Sequence, residues 1–329
     1  MPLINRCGGG GGTPQLCGQV ENFKAGLGNL SAILSWTAPS PDEDNSFVGA
    51  RIVRKTGSAP TGINDGTVVY EGTALTYTDT GLTAGTTYYY RAFAYNAKKK
   101  YQTTYRVASR TAMALNSNFA SNTWELIMEA CRSGSVPDTW VTGDNKTMTI
   151  DGVNYRFDIV GKYHDTYTAG GIAPLTFGLH DCYGTTYPMN SSSTNSTGWD
   201  GSKMRTETIP AILQKMPANI QNGIRAVNKL VATSGKNSAI KTVSDKLFTF
   251  SEVEVHGSTP NSYNGEGKQY DYYKAGNSKV KKVGSEASWW WLRSPTDNSS
   301  YHFCVVGSDG RAVNGNASDP GGVCFGFCF

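Results

Sequence analysis

His164-Asp165 and His180-Asp181-Cys182 are where residue types able to transfer protons, attack as nucleophiles or ligate metals fall side by side. A base beside a carboxylate and a thiol is raw material for a hydrolytic triad or a metal site. The chain holds only four histidines, however, and no His-Glu-x-x-His, Cys-x-x-Cys pair or Gly-x-Ser-x-Gly accompanies them. The expectation is polar residues bonded within loops: no catalytic residue, no metal and no cofactor. Cys324 and Cys328 lie four apart. On a strand their side chains share a face, and the flanking phenylalanines favour two buried thiols. Asp297, Asn298, Asp309 and Asn316 offer oxygens of the kind calcium takes, without a fixed loop motif.

The surroundings of these last residues carry more information. Trp289 to Pro295 and Gly322 to Phe329 are apolar, aromatic blocks that bracket a small, polar, Gly-rich segment. Thr296 to Gly322 contains no Lys, Glu, Gln, Met or Trp, although all five types occur elsewhere in the chain. Strand alternation from His302 to Val313 sets Phe303, Cys304, Val306, Ser308, Gly310 and Ala312 apart as a small or apolar inner lining. Val305, Gly307, Asp309, Arg311 and Val313 are then expected outward, with Asn314, Gly315, Asn316, Asp319 and Pro320 extending the surface as a loop. Candidate ligand-binding residues are Thr296, Asp297, Asn298, Tyr301, His302, Val305, Gly307, Asp309, Arg311, Val313, Asn314, Asn316 and Asp319.

Composition narrows the partners. The 329 residues suffice for two cores, and abundant Gly, Ser, Thr, Asn and Tyr suit strands and polar loops. A net charge of +4, with Lys98-Lys99-Lys100 and Lys279 to Lys282 read as solvated loops, does not make a nucleic-acid groove. No apolar stretch is long enough to span a membrane. Met1 to Cys17 carries Gly8 to Gly12 in place of a signal-peptide core, so synthesis and retention in a cytosol are expected. Seven cysteines, an odd number, fit reduced thiols better than a disulfide framework.

The elements that must position these residues fall into two domains. Residues 1–16 read as a flexible Gly-rich arm. From 17 to 112, short alternating runs are split by turn clusters: Ala32 to Trp36, Val48 to Arg54, Thr67 to Tyr70, Leu75 to Thr78, Thr87 to Tyr95 and Thr103 to Ala108. That spacing predicts an antiparallel β-sandwich. Leu34-Ser35-Trp36-Thr37-Ala38-Pro39, followed by Gly81-Leu82-Thr83-Ala84-Gly85-Thr86-Thr87-Tyr88-Tyr89-Tyr90-Arg91-Ala92-Phe93-Ala94-Tyr95-Asn96, resembles the fibronectin type III module. The resemblance implies a core role for Trp36, a corner role for Leu82, and a spacer or adaptor function.

A linker over 113–120 leads to a second domain over 121–329. Thr123 suits a helix N-cap before Leu126, Ile127 and Ala130. Thr147 to Ile150 and Tyr155 to Val160 read as a hairpin through Asp151-Gly152. A second helix is expected from Thr208 to about Ala232, broken near Pro217. Trp140-Val141-Thr142-Gly143-Asp144-Asn145-Lys146, Gly161-Lys162-Tyr163-His164-Asp165, Thr197-Gly198-Trp199, Glu252-Val253-Glu254-Val255-His256-Gly257 and Trp290-Trp291-Leu292-Arg293-Ser294-Pro295 together resemble a family of C-type-lectin-like domains found in gut bacteria and in their phages' tail proteins. Where that family often ends in Gly-Val-Arg-Pro-Ala-Phe, this chain has Gly322-Val323-Cys324-Phe325-Gly326-Phe327.

The resemblance implies a mainly β fold with α+β character: a fibronectin type III-like sandwich plus a C-type-lectin-like α+β domain. Phage members include targets of diversity-generating retroelements, in which adenines of a template are copied with errors. Asparagine codons so altered cannot yield Lys, Glu, Gln, Met or Trp, the five types missing here. The implied function is a phage or prophage tail-tip receptor-binding protein with a variable region at about 296–320. It would bind a host cell-surface protein or glycan and other phage tail proteins, assemble as a homo-oligomer (a trimer), and reside in the virion after synthesis in the bacterial cytoplasm. Two alternatives are an enzyme like the formylglycine-generating copper oxidases, which share the fold and bind copper through two cysteines, and a non-diversified bacterial adhesin.

Overall fold

The computed structural model describes residues 17–39, 47–234 and 237–329. The arm expected over 1–16, with Cys7, lies outside the described residues. The chain divides into two compact units, Met1–Leu115 and Asn116–Phe329, and strand predominates over helix.

The described residues of the first unit form seven strands: β1 (Glu21–Gly28), β2 (Ser31–Thr37), β3 (Phe47–Thr56), β4 (Thr67–Gly72), β5 (Thr76–Asp79), β6 (Thr87–Asn96) and β7 (Arg106–Thr111). They form two antiparallel sheets, ordered β1-β2-β5 and β4-β3-β6-β7. Side chains of both sheets meet in one core containing Leu34, Trp36, Ile52, Leu82 and Tyr90. This is a fibronectin type III-like sandwich, with Trp36 and Leu82 where the resemblance implies. At its centre the Tyr90 hydroxyl donates to Asp79, which also pairs with Arg54 at 2.8 Å. Two details differ from expectation. β1 was not among the expected runs, because Glu and Lys break its alternation and a register shift interrupts its pairing between Glu21 and Lys24. β7 begins at Arg106, later than the expected Thr103.

The second unit opens with a 3₁₀ turn (Phe119–Ser121) and α1 (Trp124–Ser133). The Thr123 hydroxyl accepts from the Leu126 amide, and Gly134, at φ 69°, ends the helix in the left-handed conformation. β8 (Asn145–Ile150) and β9 (Val153–Lys162) turn through Asp151 and Gly152, both at positive φ, 51° and 79°. That is the type I′ geometry whose twist suits a two-residue hairpin. β10 (Leu175–Leu179), a π-helical turn (Met204–Thr208), α2 (Ile209–Lys215) and α3 (Ala218–Gly223) follow.

The helix expected to reach Ala232 stops at Gly223. Val227–Ser234 is instead a strand, β11, paired with β12 (Asn237–Asp245). Val227, Lys229 and Val231 all turn inward while Leu230 is 40% exposed. A lysine on the inner face hid the period of two, and Leu230 counterfeited a helical stripe.

The remaining elements are β13 (Leu247–Thr249), α4 (Glu252–His256), α5 (Asp271–Lys274), β14 (Lys281–Val283), β15 (Glu286–Ser288), β16 (Trp290–Pro295), β17 (His302–Val306), β18 (Ala312–Asn316) and β19 (Phe325–Cys328). A five-stranded sheet runs β13-β19-β10-β9-β8, and a separate ribbon runs β16-β17-β18. Both β10 and β19 are buried throughout. Trp124, Phe157, Phe177, Phe327 and Phe329 interlock edge-to-face and tilted around them.

Candidate functional site

The ribbon begins from a rigid base. Every residue of β16 is buried. The Trp291 indole donates to the Tyr187 carbonyl at 2.7 Å, and the Trp290 indole to the Lys279 carbonyl at 2.9 Å. β17 pairs with β16 on one side and β18 on the other, with Val305 opposite Val313 and His302 opposite Asn316. Gly315 and Gly321 face Trp289: a Cβ added at Gly321 would stand 2.2 Å from its ring.

Two loops gather at the His302 end, 297–301 and 317–320, joined where the Ala317 amide donates to the Tyr301 carbonyl at 2.9 Å. Their backbone is held from outside the segment. The Asn195 amide side chain donates to the Ser299 and His302 carbonyls at 2.7 and 2.8 Å. The Asp297 amide donates to the Asn261 carbonyl, and the Tyr263 hydroxyl to that of Asp297. The Asn190 amide donates to Ala317, and Tyr187 and Gly321 exchange a pair of backbone bonds. Ser193 donates to the Asn316 side chain. None of these clamps belongs to the expected binding set. Asn195 carries no periodic or motif signal that sequence reasoning could have used.

The candidate residues divide as follows. Asp297, Asn298, Tyr301, Asp309, Arg311, Val313, Asn314 and Asp319 are exposed, Tyr301 by 55%. His302 and Asn316 are half-buried. Thr296, Val305 and Gly307 are buried, contrary to their expected outward position. The reason is that β17 is a central strand covered on both faces, so alternation along it no longer separates core from solvent. Thr296 instead bonds the His302 carbonyl through its amide and hydroxyl. Ser308, expected in the lining, is exposed in the turn closed by the Gly307 amide on the Arg311 carbonyl. Asp309 and Arg311 therefore sit at the far end of β17, about 17 Å from the Tyr301 loop.

Elsewhere in the unit lies a network of buried charge. Ser251 and Glu254 form a capping box at the start of α4, which aims the Glu254 carboxylate inward. Arg293 on β16 pairs with it and also donates to the Leu230, Thr249 and Glu266 carbonyls. The expectation for Arg293 offered carbonyls or a carboxylate; it has both. Lys229 is 2.7 Å from Glu254, 2.8 Å from Asp165 and 3.0 Å from the Tyr270 hydroxyl. Burial alone would raise both carboxyls, but the cations outweigh it: Asp165 is held low, and Glu254 at about 2. His164 stacks on Tyr270 with ring centres 3.8 Å apart, and burial lowers its pKa.

His164, Asp165 and Glu254 offer ligand atoms within 4.8 Å of one another. The Lys229 ammonium already fills the position between the two carboxylates. A cavity of about 470 Å³ adjoins this network. Its charges are internally paired, which makes the arrangement a structural lattice.

The cysteines separate. The Cys324 thiol contacts the Leu179 carbonyl at 3.2 Å, whereas the Cys328 sulfur lies 3.4 Å from the Thr176 hydroxyl. Those partners are three residues apart on β10, about 10 Å along a strand. Sharing a face is therefore not enough: the two thiols are too distant to ligate one copper ion. Burial raises both, Cys324 to about 11.

Residues 176–327, from β10 into β19, match the family model described as a domain of unknown function (DUF6273). No curated protein matches the chain. Among solved structures, the fibronectin type III domain of human fibronectin type III domain containing protein 3 is 19% identical, over 34% of this chain and 100% of that one, with a TM-score of 0.27. A redesigned β-sandwich protein is 22% identical, over 30% and 98%, with a TM-score of 0.24. A β-1,2-glucanase from Parabacteroides distasonis is 16% identical, over 32% and 14%, with a TM-score of 0.26. Strand order and a shared core define the first unit as a sandwich. Among the described residues, no helix is long and apolar enough to cross a membrane.

Proposed function

We propose that the chain is a phage or prophage tail-tip receptor-binding protein. Its second unit, a C-type-lectin-like domain spanning 121–329, displays a variable surface to a host cell-surface protein or glycan. What carries this reading is the division of labour around the Tyr301 loop. The backbone is fixed by Asn190, Asn195, Asn261 and Tyr263, while Asp297, Asn298, Tyr301 and Asp319 are exposed. Side chains that do not hold their own loop can be exchanged without unfolding it, which is what a paratope-like surface needs. The absence of five residue types from Thr296 to Gly322 supports diversification by adenine-directed mutagenesis.

The fibronectin-like unit then serves as a spacer toward other tail proteins. Repetition of a weak site, as in a homotrimer on the virion, raises avidity. The test is genetic. A nearby reverse transcriptase gene and a near-copy of the 3′ end, differing only at template adenines, are expected. A repeat that is missing, or differs at other bases, rejects diversification and leaves the plain adhesin.

A further inference from the structure

The His180 segment, set aside as loop chemistry in the sequence, sits in a second and differently built pocket. A cavity of about 380 Å³ lies at the end of β10, lined among others by Tyr155, Arg156, His180, Asp181 and Lys282. At its base Asp158 is only 1% exposed. One carboxylate oxygen accepts from Arg156 Nε at 2.9 Å, and the other meets His180 Nδ1 at 2.7 Å. Burial pushes this carboxyl up, but His180 and Arg156 outweigh it and hold it ionised.

This arrangement leaves reactive edges facing outward. A carboxylate on Nδ1 fixes the imidazole so that Nε2 points away from Asp158. Arg156 and His180 are partly exposed, with side-chain exposures of 44% and 36%. Among the described residues, neither Nε2 of His180 nor the two terminal guanidinium nitrogens of Arg156 make a hydrogen bond. Behind them the Lys281 ammonium donates to the Leu179 and His180 carbonyls, fixing the loop and adding a buried cation. Asp181, which also lines the pocket, accepts from the Lys282 amide at 2.9 Å. Arg156, Lys281 and Lys282 thus exceed Asp158 and Asp181 by one positive charge, and a protonated His180 adds another.

We propose that this pocket binds a tetrahedral oxyanion, a phosphate or sulfate group. The free guanidinium fork of Arg156 grips two of its oxygens, His180 Nε2–H donates to a third, and Lys282 closes the rim. Asp158 is the positioning residue: it balances the imidazolium that forms when the anion arrives. A planar carboxylate fills this three-point arrangement less well than a tetrahedral group. The proposal stands apart from the displayed surface and does not depend on it.

Calorimetric titration of the full chain with inorganic phosphate, sulfate and acetate tests it. Saturable one-to-one binding of phosphate and sulfate is expected, with acetate at least about tenfold weaker. His180→Gln should lose about tenfold, the worth of one charge-assisted hydrogen bond, and Arg156→Gln, which removes both bonds of the fork, more than about tenfold. Arg156→Lys keeps the charge without the fork, so it should fall short of wild type; circular dichroism confirms that each variant is folded. No saturable binding by wild type, equal affinity for acetate, or unchanged binding in folded Arg156→Gln and His180→Gln would each overturn the proposal. Glucose 6-phosphate separates the sources. Binding about threefold or more above inorganic phosphate assigns the site to a phosphorylated glycan, and equal binding to the free ion.

Discussion

Arg293 grips Glu254 through two parallel hydrogen bonds, Nη1 to Oε2 at 2.6 Å and Nη2 to Oε1 at 2.8 Å, with both side chains sealed from solvent. Arg293 comes from β16 at the base of the ribbon, and Glu254 from the first turn of α4. The pair therefore fastens the ribbon to the body of its unit. Removing one partner strands the other charge in the interior. Arg293→Ala is expected to cost about 3–5 kcal/mol, read by urea denaturation. A loss under about 1 kcal/mol would show that the fork does not hold the ribbon.

The same pair sets an acid limit. Glu254 drops from an ordinary value of 4.5 to about 2, because Arg293 and Lys229 outweigh burial. A depressed carboxyl contributes stability that is whole above the unfolded value and is lost as pH falls through the folded one. Glu254 should contribute roughly 3 kcal/mol above pH 4.5, disappearing toward pH 2. Denaturation midpoints measured between pH 6 and pH 2 check this; a Glu254→Gln variant should lose that part of the slope.

Glu266 has the opposite sign. Burial raises its pKa above the ordinary value ahead of the opposing pull of Arg293. One oxygen accepts from the Ala232 amide, and the other lies beside Ser294 without a hydrogen bond of good geometry. Its contribution is whole below the unfolded pKa and declines as pH rises through the folded one. Glutamine mimics the protonated acid, so Glu266→Gln should match or exceed wild-type stability at pH 8. Destabilisation by more than about 2 kcal/mol would contradict a carboxyl whose charged form is disfavoured by burial.

Lys229 occupies a cation position between Asp165 and Glu254, with His164 beside it. Cutting it back, in Lys229→Ala, leaves two buried carboxylates and an imidazole converging on a hole. The variant is expected to lose about 3–5 kcal/mol and to recover much of it in zinc chloride, whereas wild type gains nothing. Thermal melts with and without zinc decide it. An identical response in both proteins rejects the hole.

On the ribbon and its loops, the exposed and clamping residues should behave oppositely. Tyr301→Ala, Arg311→Ala and Asp319→Ala are each expected within about 0.5 kcal/mol of wild type. Asn195→Ala strips the side-chain donor from the Ser299 carbonyl, leaves that of His302 to Thr296 alone, and should cost about 1–3 kcal/mol. Gly321→Ala drives a methyl into Trp289 and should cost about 1–3 kcal/mol. Comparing melting curves across this set separates side chains free to vary from those that hold the loop.

Legibility in the sequence followed the physics of each element. α1 and the β8–β9 hairpin were readable because Thr123 and Asp151-Gly152 carry their own local geometry. Trp36 and Leu82 declared the sandwich core. β11 was misread because the fold turns Lys229 inward, and that makes sense only once Asp165 and Glu254, remote in sequence, are in place. Val305 and Gly307 were misassigned for a related reason: whether a strand has one covered face or two depends on its neighbours. Asn195 was invisible because a loop clamp has no period.

β19 pairs with β10 on one side and β13 on the other, and it follows the segment 296–320 in the chain. A stop codon or frameshift anywhere in that segment therefore deletes an interior strand of a five-stranded sheet. Such a product keeps its sandwich but not its second core, and exposed aromatic surface marks it for proteolysis. Under the proposed diversification the order of strands works as a proofreader: whatever residues the segment acquires, only copies that preserve the reading frame fold.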